Sequence, residues 1–122
     1  MENQQDTSTG LQANLAGLLC YILGWITGLI FFFIEKENKF IRFHAVQSII
    51  VFGGLTVLSI VVSILQIIFM FILTPLAVLL GFVSTIIFLV GLALWILLML
   101  KAYQNQTYKL PFLGEYSEKY SG

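Results

Sequence analysis

The sequence predicts an all-α integral membrane protein with three transmembrane helices, of which the second and third form a tight antiparallel hairpin. Three observations support this fold class. Hydrophobic residues make up 59% of the 122 residues and charged residues only 10%, whereas a soluble domain has about a quarter charged residues. The apolar residues fall into three long runs. The six acidic and six basic residues all lie outside these runs.

The first run covers residues 15–34 and contains no charged residue. At a rise of about 1.5 Å per residue, a helix of this length crosses the hydrocarbon core of a bilayer. We therefore predict one span here, preceded by a polar tail at residues 1–14. The tail has no basic cluster of the kind that begins a signal peptide, so we expect the span to be retained.

The second and third runs, residues 45–73 and 76–100, lie in a stretch of 58 residues without charge between Arg42 and Lys101. A single helix of that length would be much longer than the hydrocarbon core is thick, so a turn is needed. Pro75 favours a turn at Thr74, because proline lacks an N–H donor and disfavours helix at the preceding residue. The sequence thus predicts a helical hairpin and a membrane domain at residues 15–100. Both runs exceed the hydrocarbon thickness, so we expect the hairpin to tilt.

The basic residues predict the orientation in the cell membrane. Three of them follow the first run, and the other three lie in the tail at residues 101–122 (Lys36, Lys39, Arg42; Lys101, Lys109, Lys119). With three spans, all six collect on one side, and basic residues favour the cytoplasmic side. We predict a multi-pass protein whose N-terminus is outside and whose C-terminal tail is cytoplasmic.

One segment beside the membrane, residues 35–44, is dense in charge and holds the single histidine. Two interpretations stay open: a topology signal, or a docking surface or polar site at the membrane face. The candidate interaction or structural residues are Glu35, Lys36, Glu37, Asn38, Arg42, Phe43, His44, Gln47, Ser48, Tyr108 and Pro111.

Polar residues follow one face of the second span at helical spacing: His44, Ser48, Ser59, Ser63 and Gln66, with Gln47 beside them. Polar side chains in hydrocarbon mark helix contacts or a hydrated path. An inter-helix seam and an ion path both fit. The spans contain no Asp or Glu, which argues against a proton-coupled carrier.

Small residues predict where helices pack closely, because they let two backbones approach. The candidates are Gly17, Gly24 and Gly28 in the first span and Gly81 and Gly91 in the third. The tail is rich in tyrosine and interrupted by apolar residues at 110–113. Tyrosine favours the headgroup layer. We expect the tail to fold back over residues 35–44. Arg42 is then the central cation, shared between Glu35 or Glu37 and backbone carbonyls or lipid phosphate.

No pattern indicates an enzyme, a metal site or a cofactor. Cys20 and His44 are the single residues of their types and are predicted at different depths, and every carboxylate lies outside the spans. The net charge of zero gives no reason to expect a nucleic-acid partner. We expect the partners to be the lipid bilayer and either other proteins or further copies of this chain.

Several short motifs resemble one protein family. They are Glu35-Lys36-Glu37-Asn38, Arg42-Phe43-His44-Ala45 and Gln47-Ser48, and in the tail Ala102-Tyr103-Gln104, Tyr108-Lys109-Leu110-Pro111 and Gly114. The family comprises small bacterial and archaeal multi-span membrane proteins of unknown function. It is distantly similar to the twenty-kilodalton component of the chloroplast inner-envelope import (Tic) complex. Asn105 stands where the family pattern has a turn glycine.

The resemblance implies a multi-span helical protein and a link to protein translocation, although the plastid component has a fourth span that this sequence lacks. We expect a non-enzymatic accessory or assembly subunit, with the charged segment and the tail as its partner surface. The alternative is a small homo-oligomeric channel or transporter lined by the polar face of the second span.

Overall fold

In the computed structural model, which describes residues 7–111 and 113–121, the regular structure is helical. The helices are α1 (Ala13–Ile22), α2 (Trp25–Ile34), α3 (Lys39–Ile72), α4 (Thr74–Tyr103) and α5 (Leu113–Tyr120). Of these, α3 and α4 are long and apolar enough to cross a membrane. The all-α class predicted from the sequence is confirmed.

Helices α3 and α4 form the predicted hairpin. They contain 34 and 30 residues, or about 51 and 45 Å of helix. Leu73 alone separates them, and Pro75 lies in the first turn of α4, where its missing N–H would have no helical partner. The side chain of Gln66 lies against Gly81, and that of Leu55 lies against Gly91. These pairs show that the helices run antiparallel.

Helix α3 begins six residues before the predicted span. The side-chain oxygen of Asn38 accepts a hydrogen bond from the N–H of Ile41 at 3.1 Å, which caps the helix. The cap extends α3 back through His44 and Arg42 to Lys39, so six of the ten residues of the charged segment are helical.

The first apolar run forms two short helices, and the prediction of one span at residues 15–34 is wrong. The chain turns at Leu23 and Gly24, and Gly24 has a φ of 63°, a conformation that glycine adopts without a steric penalty. The Thr27 hydroxyl accepts from the N–H of Leu23 and donates to the carbonyl of Cys20, both at 3.2 Å. Each helix has ten residues, about 15 Å or half of the hydrocarbon core.

The α1–α2 pair folds back on itself as a second, shorter hairpin. Before α1, the N–H of Ser8 donates to the carboxylate of Glu35 at 2.9 Å, just after α2 ends. At the other end of the described chain, Ser121 contacts Arg42. Both ends of the described chain therefore lie beside the charged segment, residues 35–44. We call this end of the molecule the charged end. The predicted placement of the termini on opposite sides of the membrane depended on a single crossing by residues 15–34, which the structure does not contain.

The short hairpin covers only half of the long one. Its turn reaches the level of Phe52 in α3, which lies next to Gly24. The indole of Trp95 in α4 donates to the backbone carbonyl of Tyr21 at 2.7 Å. Nearly all buried side chains lie in this covered half. In the uncovered half, α3 and α4 expose Leu, Ile, Val and Phe side chains. The buried apolar residues there are Val62 and Ala77.

Candidate functional site

A cluster of buried polar side chains, which we call the polar junction (Tyr21, His44, Gln47 and Ser48), joins α1, α3 and the tail. His44 is fully buried. Its Nε2 lies 2.8 Å from the carbonyl oxygen of Gln106, and its Nδ1 lies 2.6 Å from the hydroxyl of Tyr21. Because a carbonyl can only accept, Nε2 carries the proton and Nδ1 accepts from Tyr21. These contacts fix the tautomer of the neutral imidazole.

Both polar atoms of the Gln47 side-chain amide form hydrogen bonds in the same cluster. Its Nε2 donates to the Tyr21 hydroxyl at 3.1 Å and to the carbonyl of Tyr108 at 3.0 Å. Its Oε1 accepts from the N–H of Leu110 at 3.3 Å. The amide therefore pairs with the extended backbone of the tail on one side and with α1 on the other. These buried groups are satisfied, as a low-dielectric environment requires.

Ser48 ties the turn of the short hairpin to α3. Its hydroxyl donates to the carbonyl of Gly24 at 2.7 Å. One turn away, Gly28 lies so close to α3 that an added Cβ would be 2.8 Å from the carbonyl oxygen of Ala45. Glycine at position 28 is therefore required for this contact.

Glu35, in the loop between α2 and α3, is buried but well hydrogen-bonded. Its carboxylate accepts from the backbone N–H groups of Ser8, Glu37 and Asn38 at 2.9–3.1 Å. Burial by itself raises the pKa of this carboxyl, but the hydrogen bonds outweigh that effect and lower the pKa below its ordinary value. Glu35 is thus held as a carboxylate that fixes the loop.

Arg42 is the central cation of the charged end, as the sequence predicts, and its hydrogen-bond acceptors are backbone carbonyls. Its Nε donates to the carbonyl of Ser121 at 2.8 Å, and its Nη1 donates to those of Phe32 and Glu35 at 3.1 and 2.6 Å. Its guanidinium also lies 4.4 Å from the centre of the Phe32 ring. The tail therefore folds back over residues 35–44.

The other residues predicted for this surface have simpler positions. Phe43 is buried with its ring edge-on to His44. Lys36, Glu37 and Pro111 are exposed at the charged end. Gly17 lies against Phe40 and Ala102, so α1 also packs on α4 through a small residue. Within residues 7–111 and 113–121, no group of three His, Cys, Asp or Glu side chains could hold a metal ion.

Beyond the turn of the short hairpin, on the side away from the charged end, α3 and α4 form a groove of about 570 Å³. The groove is open along its side. Its upper wall is Leu23, Gly24 and Trp25. Three hydroxyl residues of α3 line it, among apolar side chains (Thr56, Ser59, Ser63; Phe52, Leu55, Ile60, Ile64, Ile67, Ile87, Phe88, Gly91).

The predicted polar face of α3 therefore divides into two parts. His44 and Ser48 form inter-helix hydrogen bonds in the polar junction, as the seam interpretation requires. Ser59 and Ser63 line the groove instead. Tyr21 is not among the residues predicted for a site, so its role in the junction was missed. A signal existed, because a buried tyrosine hydroxyl in an apolar run needs a hydrogen-bond partner.

Comparison with known proteins adds the family. Residues 5–116 match the model of the magnetosome magnetite crystal formation protein family, MamF/MmsF. The chain belongs to this family. A UPF0132 membrane protein of Methanocaldococcus jannaschii is 45% identical over 115 residues, which cover 94% of each chain. A UPF0132 membrane protein of Archaeoglobus fulgidus is 38% identical over 112 residues, which cover 92% of this chain and 98% of the relative.

This MamF/MmsF family member is accordingly a membrane protein, and the exposed apolar half of its long hairpin is a lipid-facing surface. No solved structure matches the chain. The predicted membership of a family of small archaeal membrane proteins is confirmed. The distant likeness to the chloroplast import component stays a prediction.

Proposed function

We propose that this protein is a non-enzymatic accessory or assembly subunit that binds an apolar helix of a partner membrane protein in the groove below the α1–α2 hairpin. The observation that supports the proposal is that the α1–α2 hairpin covers only about half of the length of α3 and α4. Because α1 and α2 are only about 15 Å long, they leave a groove of about 570 Å³ on α3 and α4 at the depth below Trp25.

The lining of the groove favours a helix as the occupant. Thr56, Ser59 and Ser63 present short hydroxyl side chains at helical spacing on α3, and Gly91 of α4 lines the same groove. Small residues allow a close approach of two helices within a membrane. Ser59 and Ser63 can also donate across the contact to a carbonyl or polar side chain of the partner.

We infer that the charged end of the molecule faces the cytoplasm. The basic residues that the structure describes lie at this end, in the loop before α3, at the start of α3, at the end of α4 and in the tail. Basic residues beside spans favour the cytoplasmic side. The exposed Lys36 and Glu37 would then be available to a cytoplasmic part of the partner.

Protein translocation is the process in which we place this assembly role, on the strength of the motif resemblance at residues 35–48 and in the tail. The channel alternative has less support. His44, Gln47 and Ser48 use their hydrogen-bonding groups inside one copy of the chain, so half of the polar face is not available to line a pore.

Photo-crosslinking in native membranes tests the proposal. A photoreactive amino acid at Ser59 should give protein adducts of defined mass. The control is Val57, which is 62% exposed on the same helix and does not line the groove, and it should give lipid adducts. Ser63→Phe, which fills the groove, should abolish the Ser59 adduct, whereas Leu58→Phe should not.

Other outcomes would count against a partner helix. Equal adducts at the two positions would contradict the proposal, and an adduct of twice the chain's mass would assign the groove to a second copy. Ion flux through the purified protein in liposomes would favour the channel.

A further inference from the structure

The short helix α5 has three distinct faces. Gly114, Ser117 and Ser121 point inward and are buried against the body of the protein. Glu115, Glu118 and Lys119 form an exposed charged face. Leu113, Tyr116 and Tyr120, spaced three and four residues apart, form an exposed apolar stripe on a further side, with 37%, 52% and 59% of their surfaces accessible. We call this set the tyrosine stripe.

The contacts of the tail set the level at which α5 lies. Before the helix, Leu110 is bound by Gln47, and after it Ser121 is bound by Arg42. Both anchoring residues belong to the part of α3 where charged residues give way to apolar ones. In a helix that crosses the membrane, this level is the headgroup layer, where tyrosine is enriched because its ring is apolar and its hydroxyl is polar.

Arg42 also brings the C-terminal end of α5 near α2. The guanidinium of Arg42 contacts both the Phe32 ring and the carbonyl of Ser121. The end of α5 therefore lies near the end of α2, where Phe33 and Ile34 are 61% and 48% exposed. A bilayer that surrounds α2 reaches this edge of the molecule.

We infer that α5 is an interfacial helix, whose tyrosine stripe rests on the lipid headgroup layer of the leaflet at the charged end. The charged face then points to water, and Arg42 and Gln47 hold the helix against α3. Lipid is favoured over a protein partner because Arg42 and Gln47 hold α5 at the level of the headgroup layer, and because the stripe combines aromatic rings with polar hydroxyls.

Spin labelling of the full chain tests this inference. Single cysteines replace Tyr116 or Tyr120 on the stripe and Glu115 or Glu118 on the charged face, in a Cys20→Ala background, and the protein is reconstituted in vesicles of phosphatidylcholine and phosphatidylglycerol. Molecular oxygen concentrates in lipid and a nickel chelate in water. We expect the oxygen-to-nickel accessibility ratio at 116 and 120 to be several-fold higher than at 115 and 118.

Two results would overturn the inference. Equal ratios at all four positions would show that α5 stands in water, and low accessibility to both reagents at 116 and 120 would show that protein covers the stripe. Using two stripe positions guards against a variant that fails to fold. Because the groove is not involved, the result is independent of the proposed partner binding.

Discussion

Arg42 donates a 2.6 Å hydrogen bond to the backbone carbonyl of Glu35, while the Glu35 carboxylate accepts from backbone N–H groups. Two opposite charges seven residues apart are thus both stabilised by the main chain. Glu35 fixes the N-terminal segment through Ser8, and Arg42 fixes the tail through Ser121. This arrangement supports a structural role of the charged segment in addition to any role as a topology signal.

The first prediction follows from the three carbonyls that Arg42 binds. Arg42→Ala removes their donor and frees the tail, and the loss of hydrogen bonds to a charged group should destabilise the protein by about 1–3 kcal/mol. Lys36→Ala is the matched control, because Lys36 is exposed and solvated side chains contribute little. Thermal unfolding of both variants in detergent measures the difference.

A second comparison separates charge from geometry at this position. Arg42→Lys keeps the positive charge but cannot reach three carbonyls with a fixed fork of donors, so it should recover only part of the stability. Equal and negligible losses for Arg42→Ala and Lys36→Ala would mean that the segment acts only as a topology signal.

The second prediction concerns pH and Glu35. The pKa of this carboxyl is lowered in the folded protein, so its ionised form stabilises the fold. That contribution is complete above the pKa of the unfolded chain, about 4.3, and is lost as the pH falls through the lower, folded value. The thermal midpoint in detergent should therefore decrease on acidification below about pH 4.3.

Glu35→Gln provides the control for this pH profile. The amide cannot ionise, so the variant should be less stable than the parent at neutral pH, and the gap between them should narrow in acid. A gap that stays constant with pH would show that the Glu35 carboxylate contributes nothing through its charge.

The third prediction concerns two glycines that each lie inside a helix, Gly28 in α2 and Gly54 in α3. Gly28→Ala places a Cβ 2.8 Å from the carbonyl of Ala45 and 2.9 Å from the Ser48 side chain, and overpacking of this kind costs about 1–3 kcal/mol. Gly54→Ala meets nothing within 4 Å and should be neutral or slightly stabilising, because alanine favours helix. Thermal midpoints of the two variants should differ in these opposite directions, and similar midpoints would contradict the close α2–α3 contact.

The long hairpin could be predicted from the sequence because its signals are local. A charge-free stretch too long for one helix needs a turn, and Pro75 is the residue that disfavours helix just before it. The structure ends α3 at Ile72 and begins α4 at Thr74, within two residues of the prediction. The capping of α3 by Asn38 is also local, but the predicted second span starts at residue 45 and so leaves this cap out.

The short hairpin could not be predicted in the same way, because long-range contacts determine it. Within an apolar run, Gly24 fits either a close helix contact or a turn. The hydrogen bonds from Ser48 to Gly24 and from Trp95 to Tyr21 favour the turn, and both donors are distant in sequence. Hydropathy alone therefore merges two half-length helices into one span.

The tail shows an intermediate case. Asn105 has a φ of 62°, in the left-handed region, at the position where the motif resemblance predicts a turn glycine. Asparagine is one of the few other residues that adopt this conformation readily. The turn geometry is therefore kept, and the tail reaches His44 and Gln47 with its backbone. The hydrogen bonds themselves could not be predicted, since backbone atoms carry no sequence signal.

The last prediction is that both termini lie on the same side of the membrane. Residues near both ends contact the charged end, Ser8 through Glu35 and Ser121 through Arg42. Helices α3 and α4 run antiparallel, and each is long and apolar enough to cross the bilayer. Topology reporters fused before Met1 and after Gly122 should therefore both be active in their cytoplasmic form.

A cysteine at Thr74, in a Cys20→Ala background, should react with a membrane-impermeant thiol reagent only from the opposite side, and one at Gly54 should not react. Reporters active on opposite sides would require α1 and α2 to open into a single crossing, which would break the hydrogen bond between Ser8 and Glu35.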